Sequence, residues 1–211
     1  NFKPAIADSI GFIRHGFLFT ILMAANVVYN KIDIIMLEKM IGSVEVAYYS
    51  GATRFIYPFM FISGAFMTAV FPKLARHSEE RDKFRNIQNL ALYYLGGIGV
   101  VLSTSLYLGA DILFEFFFGN KYDFSIPVFK VLVWYLAIVF IYGPISNSLV
   151  AKNKIVFLVY LNLIMMMMNV VMNFFLIPEY GAKGAAMATI VCEILILVSA
   201  LAYWRRTESR N

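Results

Sequence analysis

The chain has 211 residues, of which 61% are hydrophobic and only 15% charged, with a net charge of +5. A soluble fold carries about a quarter charged residues, and one of this length has no room to hide so much apolar surface. Disorder, a collagen-like fibre and a disulfide scaffold are excluded, the last because Cys192 stands alone, which leaves an integral membrane protein.

A membrane-crossing helix needs about 20 predominantly apolar residues. Six segments meet that length, at residues 10–37, 46–72, 86–118, 126–151, 155–178 and 184–204. They are apolar all round, unlike the alternating strands of an outer-membrane barrel. The first follows Pro4, Asp8 and Arg14 without a small-residue cleavage pattern, so no signal peptide is read here. The predicted fold class is an all-α membrane protein, a six-transmembrane-helix antiparallel bundle forming one domain over 1–211.

In the first segment, Asn26, Asn30 and Asp33 follow i, i+4, i+7 spacing and share one face, with Lys31 beside them. Gly42-Ser43 ends it. In the second, Ser50, Arg54 and Tyr57 form a similar stripe, and Pro58 interrupts the backbone ladder. Asp33 and Arg54 come at similar depth, which also allows a purely structural pair, and Lys31 has the reach to snorkel to the surface.

The loop 73–85 is dense in charge. Within it, His77 and Asp82 have the His-x4-Asp spacing of glycerolipid-type acyltransferases, but no companion block follows, so a solvated loop is the favoured reading.

The third segment is charge-free from Asn86 to Ala110, then carries Asp111 and Glu115 at its outer edge. Gly119-Asn120 and Pro127 mark the next turn. The fourth segment has Lys130 at its edge and a predicted break at Gly143-Pro144. Lys152-Asn153-Lys154 separates it from the fifth, where Asn162, Asn169 and Asn173 share a face. Met165 to Met168 touch all sides of that helix and cannot form a dedicated metal face. Pro178 to Gly181 close the fifth segment, and Gly184 and Ala188 give the sixth a small-residue packing face.

Glu193 lies nine residues beyond Gly184, about 14 Å along the axis. Charge at that depth costs about 2.5–3.5 kcal/mol on insertion scales, so it faces a partner or a cavity. Several helices with one polar stripe each predict a bundle around a hydrophilic cavity.

Six spans place both termini, the 73–85 loop and the 152–154 turn on one side. That side holds Lys3, Arg14, Lys73, Arg76, Arg81, Lys83, Arg85, Lys152, Lys154, Arg205, Arg206 and Arg210, against Lys39, Lys121 and Lys183 on the other. The positive-inside rule assigns the basic side, with both termini, to the cytoplasm. Topology thus accounts for the net charge, and no nucleic-acid partner is predicted. No metal site, nucleotide fingerprint or other cofactor motif is present in the sequence.

Two stretches carry a family likeness. One runs Tyr29-Asn-Lys-Ile-Asp33-Ile-Ile-Met-Leu37, Gly42, Val46-Ala-Tyr-Tyr-Ser-Gly-Ala-Thr-Arg54 and Phe71-Pro-Lys-Leu-Ala-Arg76. The other is Leu176-Ile-Pro-Glu-Tyr-Gly181-Ala-Lys-Gly184-Ala-Ala-Met-Ala-Thr189, with Glu193 after it. The first resembles the seventh and eighth helices of O-antigen (Wzx-type) polysaccharide flippases, and the second resembles the approach to their twelfth. These belong to the multidrug/oligosaccharidyl-lipid/polysaccharide exporter superfamily.

The resemblance implies a flippase, not an enzyme. It would move a polyprenyl-pyrophosphate-linked oligosaccharide across the cytoplasmic membrane by alternating access, with two lobes around a central cavity. This chain, which starts at Asn1, is expected to be the C-terminal lobe. Implied partners are the lipid-linked oligosaccharide, membrane lipids, the N-terminal lobe, a polysaccharide polymerase and glycosyltransferases. Candidate substrate contacts are Arg54, Lys31, Asn26, Asn30 and Tyr57, with the cations on pyrophosphate, and candidate ion-coupling residues are Glu193 and Asp33. The alternatives are a multidrug/cation antiporter of the same superfamily and a membrane-bound acyltransferase-type enzyme.

Overall fold

In a computed structural model, the described residues are Thr20, 31–119 and 123–209, with 208 and 209 described for backbone only. Among them every regular element is a helix, joined by short turns. α1 covers residues 31–40. It is followed by α2 (Ser43–Arg76), α3 (Arg81–Leu108), α4 (Ala110–Phe118), α5 (Ser125–Leu132), α6 (Trp134–Ala151) and α7 (Ile155–Ser209).

Four stretches among them are long and apolar enough to cross a membrane: Ser43–Arg76, Arg81–Leu108, Ser125–Ala151 and Ile155–Thr207. The last has 53 residues, which at 1.5 Å per residue is about 80 Å and more than two bilayer cores. It is two spans, divided at Gly181, whose φ of 58° and ψ of −138° are not helical. This agrees with the division expected at Pro178 to Gly181. The chain is therefore a multi-pass membrane protein.

The helices overrun the predicted spans. α2 extends to Arg76, with Glu45 in its first turn and Lys73 and Arg76 in its last, charges that complement the helix dipole. Hydropathy marks where the bilayer ends, and the helix continues into the interface. The predicted segment 86–118 is two helices meeting at Gly109.

The fourth span keeps a helical path through Gly143-Pro144, where proline supplies no N–H, and its ladder opens at Val133 as well, whose φ of −59° and ψ of −28° stay helical. The cause is Ser103 of α3. Its hydroxyl donates to the Val133 carbonyl at 3.0 Å and accepts from the Ala137 N–H at 3.1 Å. These two backbone groups would bond each other in an unbroken helix, so the inserted side chain opens the ladder there. α3 and α6 approach closely at Gly99, where a Cβ would stand 2.7 Å from that of Phe140.

The connections alternate between the two ends of the bundle, as short antiparallel links require. At one end the Lys152 ammonium donates to the Ser78 carbonyl, joining the α2–α3 and α6–α7 turns, and Phe84 stacks on Trp204. At the other, Phe55 of α2 packs on Phe114 and Phe129, and Lys130 pairs with Asp111 at 2.8 Å. The largest buried apolar cluster runs between these ends through Leu95, Leu136, Phe140 and Ile177.

Candidate functional site

The polar centre of the bundle is built around Asp33, which is 4% exposed. Its Oδ2 accepts from the Tyr49 hydroxyl at 2.6 Å and from the Thr189 hydroxyl at 2.7 Å. Its Oδ1 accepts from the Asn173 amide at 2.7 Å. Asn173 also donates to the Asn169 side-chain oxygen at 3.0 Å, one helical turn away. One carboxylate thus ties α1, α2 and both halves of α7 together.

Buried polar groups must be paired because the low local dielectric makes a lone one costly. Here the pairing is incomplete: among the described residues, Asn169 Nδ2 and Asn173 Oδ1 are buried without a hydrogen-bond partner. The cluster opens onto a small pocket lined by Asp33, Tyr49, Thr53, Ile56, Tyr57, Leu132, Tyr135 and Thr189. Glu193, also buried, lies one turn beyond Thr189 on the same helix face. It stands within electrostatic reach of Tyr135 and Tyr142.

Several expectations change. Asp33 bonds Tyr49, Asn173 and Thr189, not Arg54, which is exposed. The inward face of α2 is Tyr49, Ala52, Thr53 and Ile56, rotated by about one residue from the expected Ser50, Arg54 and Tyr57 stripe. Polarity alone does not orient a helix whose lipid-facing and protein-facing sides are both apolar. Tyr57 still lines the pocket, from a partly exposed position. Lys31 is exposed. Asn26 and Asn30 lie outside the described residues.

Of the three asparagines expected on one face, Asn169 and Asn173 join the site. Asn162 instead donates to the Leu158 carbonyl of its own helix at 2.7 Å. Tyr49 and Thr189 were not singled out from sequence. Their signal was spacing: Tyr49 is four residues before Thr53, and Thr189 four before Glu193.

His77 is engaged locally. Its Nδ1 is 2.8 Å from Glu80 Oε1, and Lys83 reaches the other Glu80 oxygen at 2.6 Å. Lys83 first and His77 second hold the Glu80 carboxyl at about 2, below its ordinary 4.5. The partner of His77 is thus Glu80 rather than Asp82, against the acyltransferase alternative. Among the described residues no group of three or more His, Cys, Asp or Glu side chains is placed to hold a metal ion.

Residues 19–175 match the model of the MatE family. The chain belongs to the MatE family. The match runs from the first predicted span through the fifth and includes Asp33, Tyr49, Asn169 and Asn173, while Thr189 and Glu193 follow it.

Curated relatives of this MatE chain include a Staphylococcus aureus protein named capsular polysaccharide biosynthesis protein CapF. It is 22% identical over 98% of this chain and 54% of its own length. A Shigella flexneri protein named as an O-antigen transporter is 26% identical over 77% of this chain and 39% of its own length. The chain thus spans about half, or less, of the relatives it matches. Of these two names, that of the Shigella flexneri relative is the one that states transport.

Among solved structures, a Vibrio cholerae MATE transporter superposes with a TM-score of 0.82 at 14% identity, over 99% of this chain and 49% of that one. The lipid II flippase MurJ gives 0.73 at 20% identity, over 97% and 45%. These likenesses establish the fold.

Proposed function

We propose that the chain is one lobe, the C-terminal one, of a flippase that moves a polyprenyl-pyrophosphate-linked oligosaccharide across the cytoplasmic membrane by alternating access. Both termini of the segment then lie in the cytoplasm, as the basic asymmetry argues. The observation that carries the transport reading is the buried, hydrogen-bonded Asp33 carboxylate beside a small pocket. The names of the polysaccharide relatives support the substrate class.

Substrate chemistry assigns the roles. A sugar headgroup crosses hydrocarbon only through a polar, hydrogen-bonding path. The pyrophosphate needs cations, and Arg54 and Lys31 are exposed on the two helices that hold Asp33 and Tyr49. Tyr57, together with Asn26 and Asn30, offers hydrogen bonds to the glycan.

Asp33, with Glu193 near it, carries the coupling proton or ion. A change of charge at Asp33 alters its bonds to α2 and to both halves of α7 at once. An ion shifts a conformational equilibrium only by binding its two states differently, and a carboxylate shared by three helical elements supplies such a difference. The other lobe, a polymerase and glycosyltransferases complete the assembly.

The test is complementation of a flippase-deficient strain by the full-length protein. Arg54→Ala should abolish glycan export while the protein still inserts. Normal export by that variant would overturn the role of Arg54. Drug efflux in a sensitised host, without glycan export, would favour the multidrug antiporter instead.

A further inference from the structure

At the end of the bundle that carries the 77–80 and 152–154 turns, a groove of about 400 Å³ opens between the start of α3, the α6–α7 turn and the end of α7. Arg81, Lys152 and Lys154 line it against one acid, Glu79. Phe84 and Trp204 also line it, both buried and stacked with centroids 5.8 Å apart and planes 21° apart.

Lys152 is fixed in place. Its ammonium donates to the Ser78 carbonyl and sits 4.8 Å from the centre of the Phe84 ring. Gln88 lies one turn beyond Phe84 on the same face of α3. It is buried, and its Nε2 has no hydrogen-bond partner among the described residues.

α6 ends at Ala151 and α7 begins at Ile155, so the groove lies where the spans leave the hydrocarbon. Tryptophan favours that interface, and basic pockets between membrane helices suit anionic lipid headgroups.

We propose that this groove binds the headgroup of an anionic phospholipid. Arg81 and Lys154 contact the phosphate oxygens, and Lys152 forms a fixed positive wall. The glycerol and the first acyl carbons lie against the edges of the Phe84–Trp204 stack that face the groove. The aromatic stack is what selects a lipid, because a free phosphate gains nothing from an apolar floor. A zwitterionic headgroup would bring its own cation against three basic side chains.

The experiment uses the full-length protein in a neutral detergent. Short-chain phosphatidylglycerol, short-chain phosphatidylcholine and inorganic phosphate are each titrated, and thermal stabilisation is read as binding. Phosphatidylglycerol should bind about tenfold or more tightly than phosphatidylcholine. Arg81→Gln combined with Lys154→Gln should weaken it about tenfold or more. Lys39→Gln combined with Lys183→Gln, which removes equal charge at the opposite end, should leave it unchanged. Lys154→Gln alone, at an exposed site, serves if the double variant does not fold. Equal binding of the two lipids, or undiminished binding by the groove variants, overturns the proposal. Inorganic phosphate binding as tightly as phosphatidylglycerol overturns the lipid assignment.

Discussion

Asn173 donates to Asp33 at 2.7 Å across 140 positions of chain. That bond closes the bundle, because it ties the fifth span to the end of the first. Tyr49 meets the same carboxylate from the second span at 2.6 Å. Asp33→Asn should lower glycan export by the full-length protein by about tenfold or more, the scale of a typical coupling energy between sites. The variant should still insert, and export assayed beside membrane-fraction immunoblots checks both. Unchanged export would remove Asp33 from the coupling step.

Tyr49→Phe deletes one donor and leaves the carboxylate two. It should destabilise the folded protein by about 1 kcal/mol, the usual net value of a hydrogen bond. Asp33→Ala should cost about 1–3 kcal/mol, because the buried Tyr49 hydroxyl loses its acceptor. Thr189 retains the Ala185 carbonyl and Asn173 retains Asn169. Denaturant titration of both variants and the double variant should give a non-additive cycle.

Ser103→Ala should leave the Ala137 N–H without its acceptor at the break in the fourth span. The Val133 carbonyl keeps the Leu136 N–H at 3.2 Å. The expected cost is about 1–3 kcal/mol, read as a lower melting temperature in detergent. An unchanged melting temperature would mean that the helix closes its own ladder once the hydroxyl is gone.

Gly181→Ala should destabilise the turn between the last two spans by about 1–3 kcal/mol. Its φ is +58°, and an added Cβ would stand 2.5 Å from a Glu45 carboxylate oxygen. That same carboxylate accepts from the Ala182 N–H at 2.6 Å. Gly97→Ala, where a Cβ meets nothing within 4 Å, is the control and should be tolerated. Thermal melts of the two variants make the comparison.

Glu80 sets a pH dependence. Its carboxyl is held at about 2 against an ordinary 4.5, so the folded state favours the charged form. The stabilisation is present above pH 4.5 and is lost as pH falls toward 2. Both partners are at the surface, so the effect is small. The unfolding midpoint followed from pH 5 to pH 2 should slope less in Glu80→Gln than in the parent protein.

The sequence by itself determined the class and the turn between the last two spans. Charge-free runs such as Ile155 to Pro178 admit only a membrane helix, and Gly181 marked the turn after it. Both are local properties, set by transfer energy and by backbone sterics. It also singled out Asp33 and Glu193, because a carboxyl within an apolar run is conspicuous. The partners were decided by the tertiary structure. Charge and depth allowed Arg54 as a mate for Asp33, yet Tyr49, Asn173 and Thr189 hold it. In a membrane helix the lipid-facing and protein-facing sides are both apolar, so periodicity does not fix the rotation about the axis. The same limit hid the break at Val133, which arises from a serine of another helix. Only packing brings Ser103 to that backbone, as only packing brings Asn173 to Asp33.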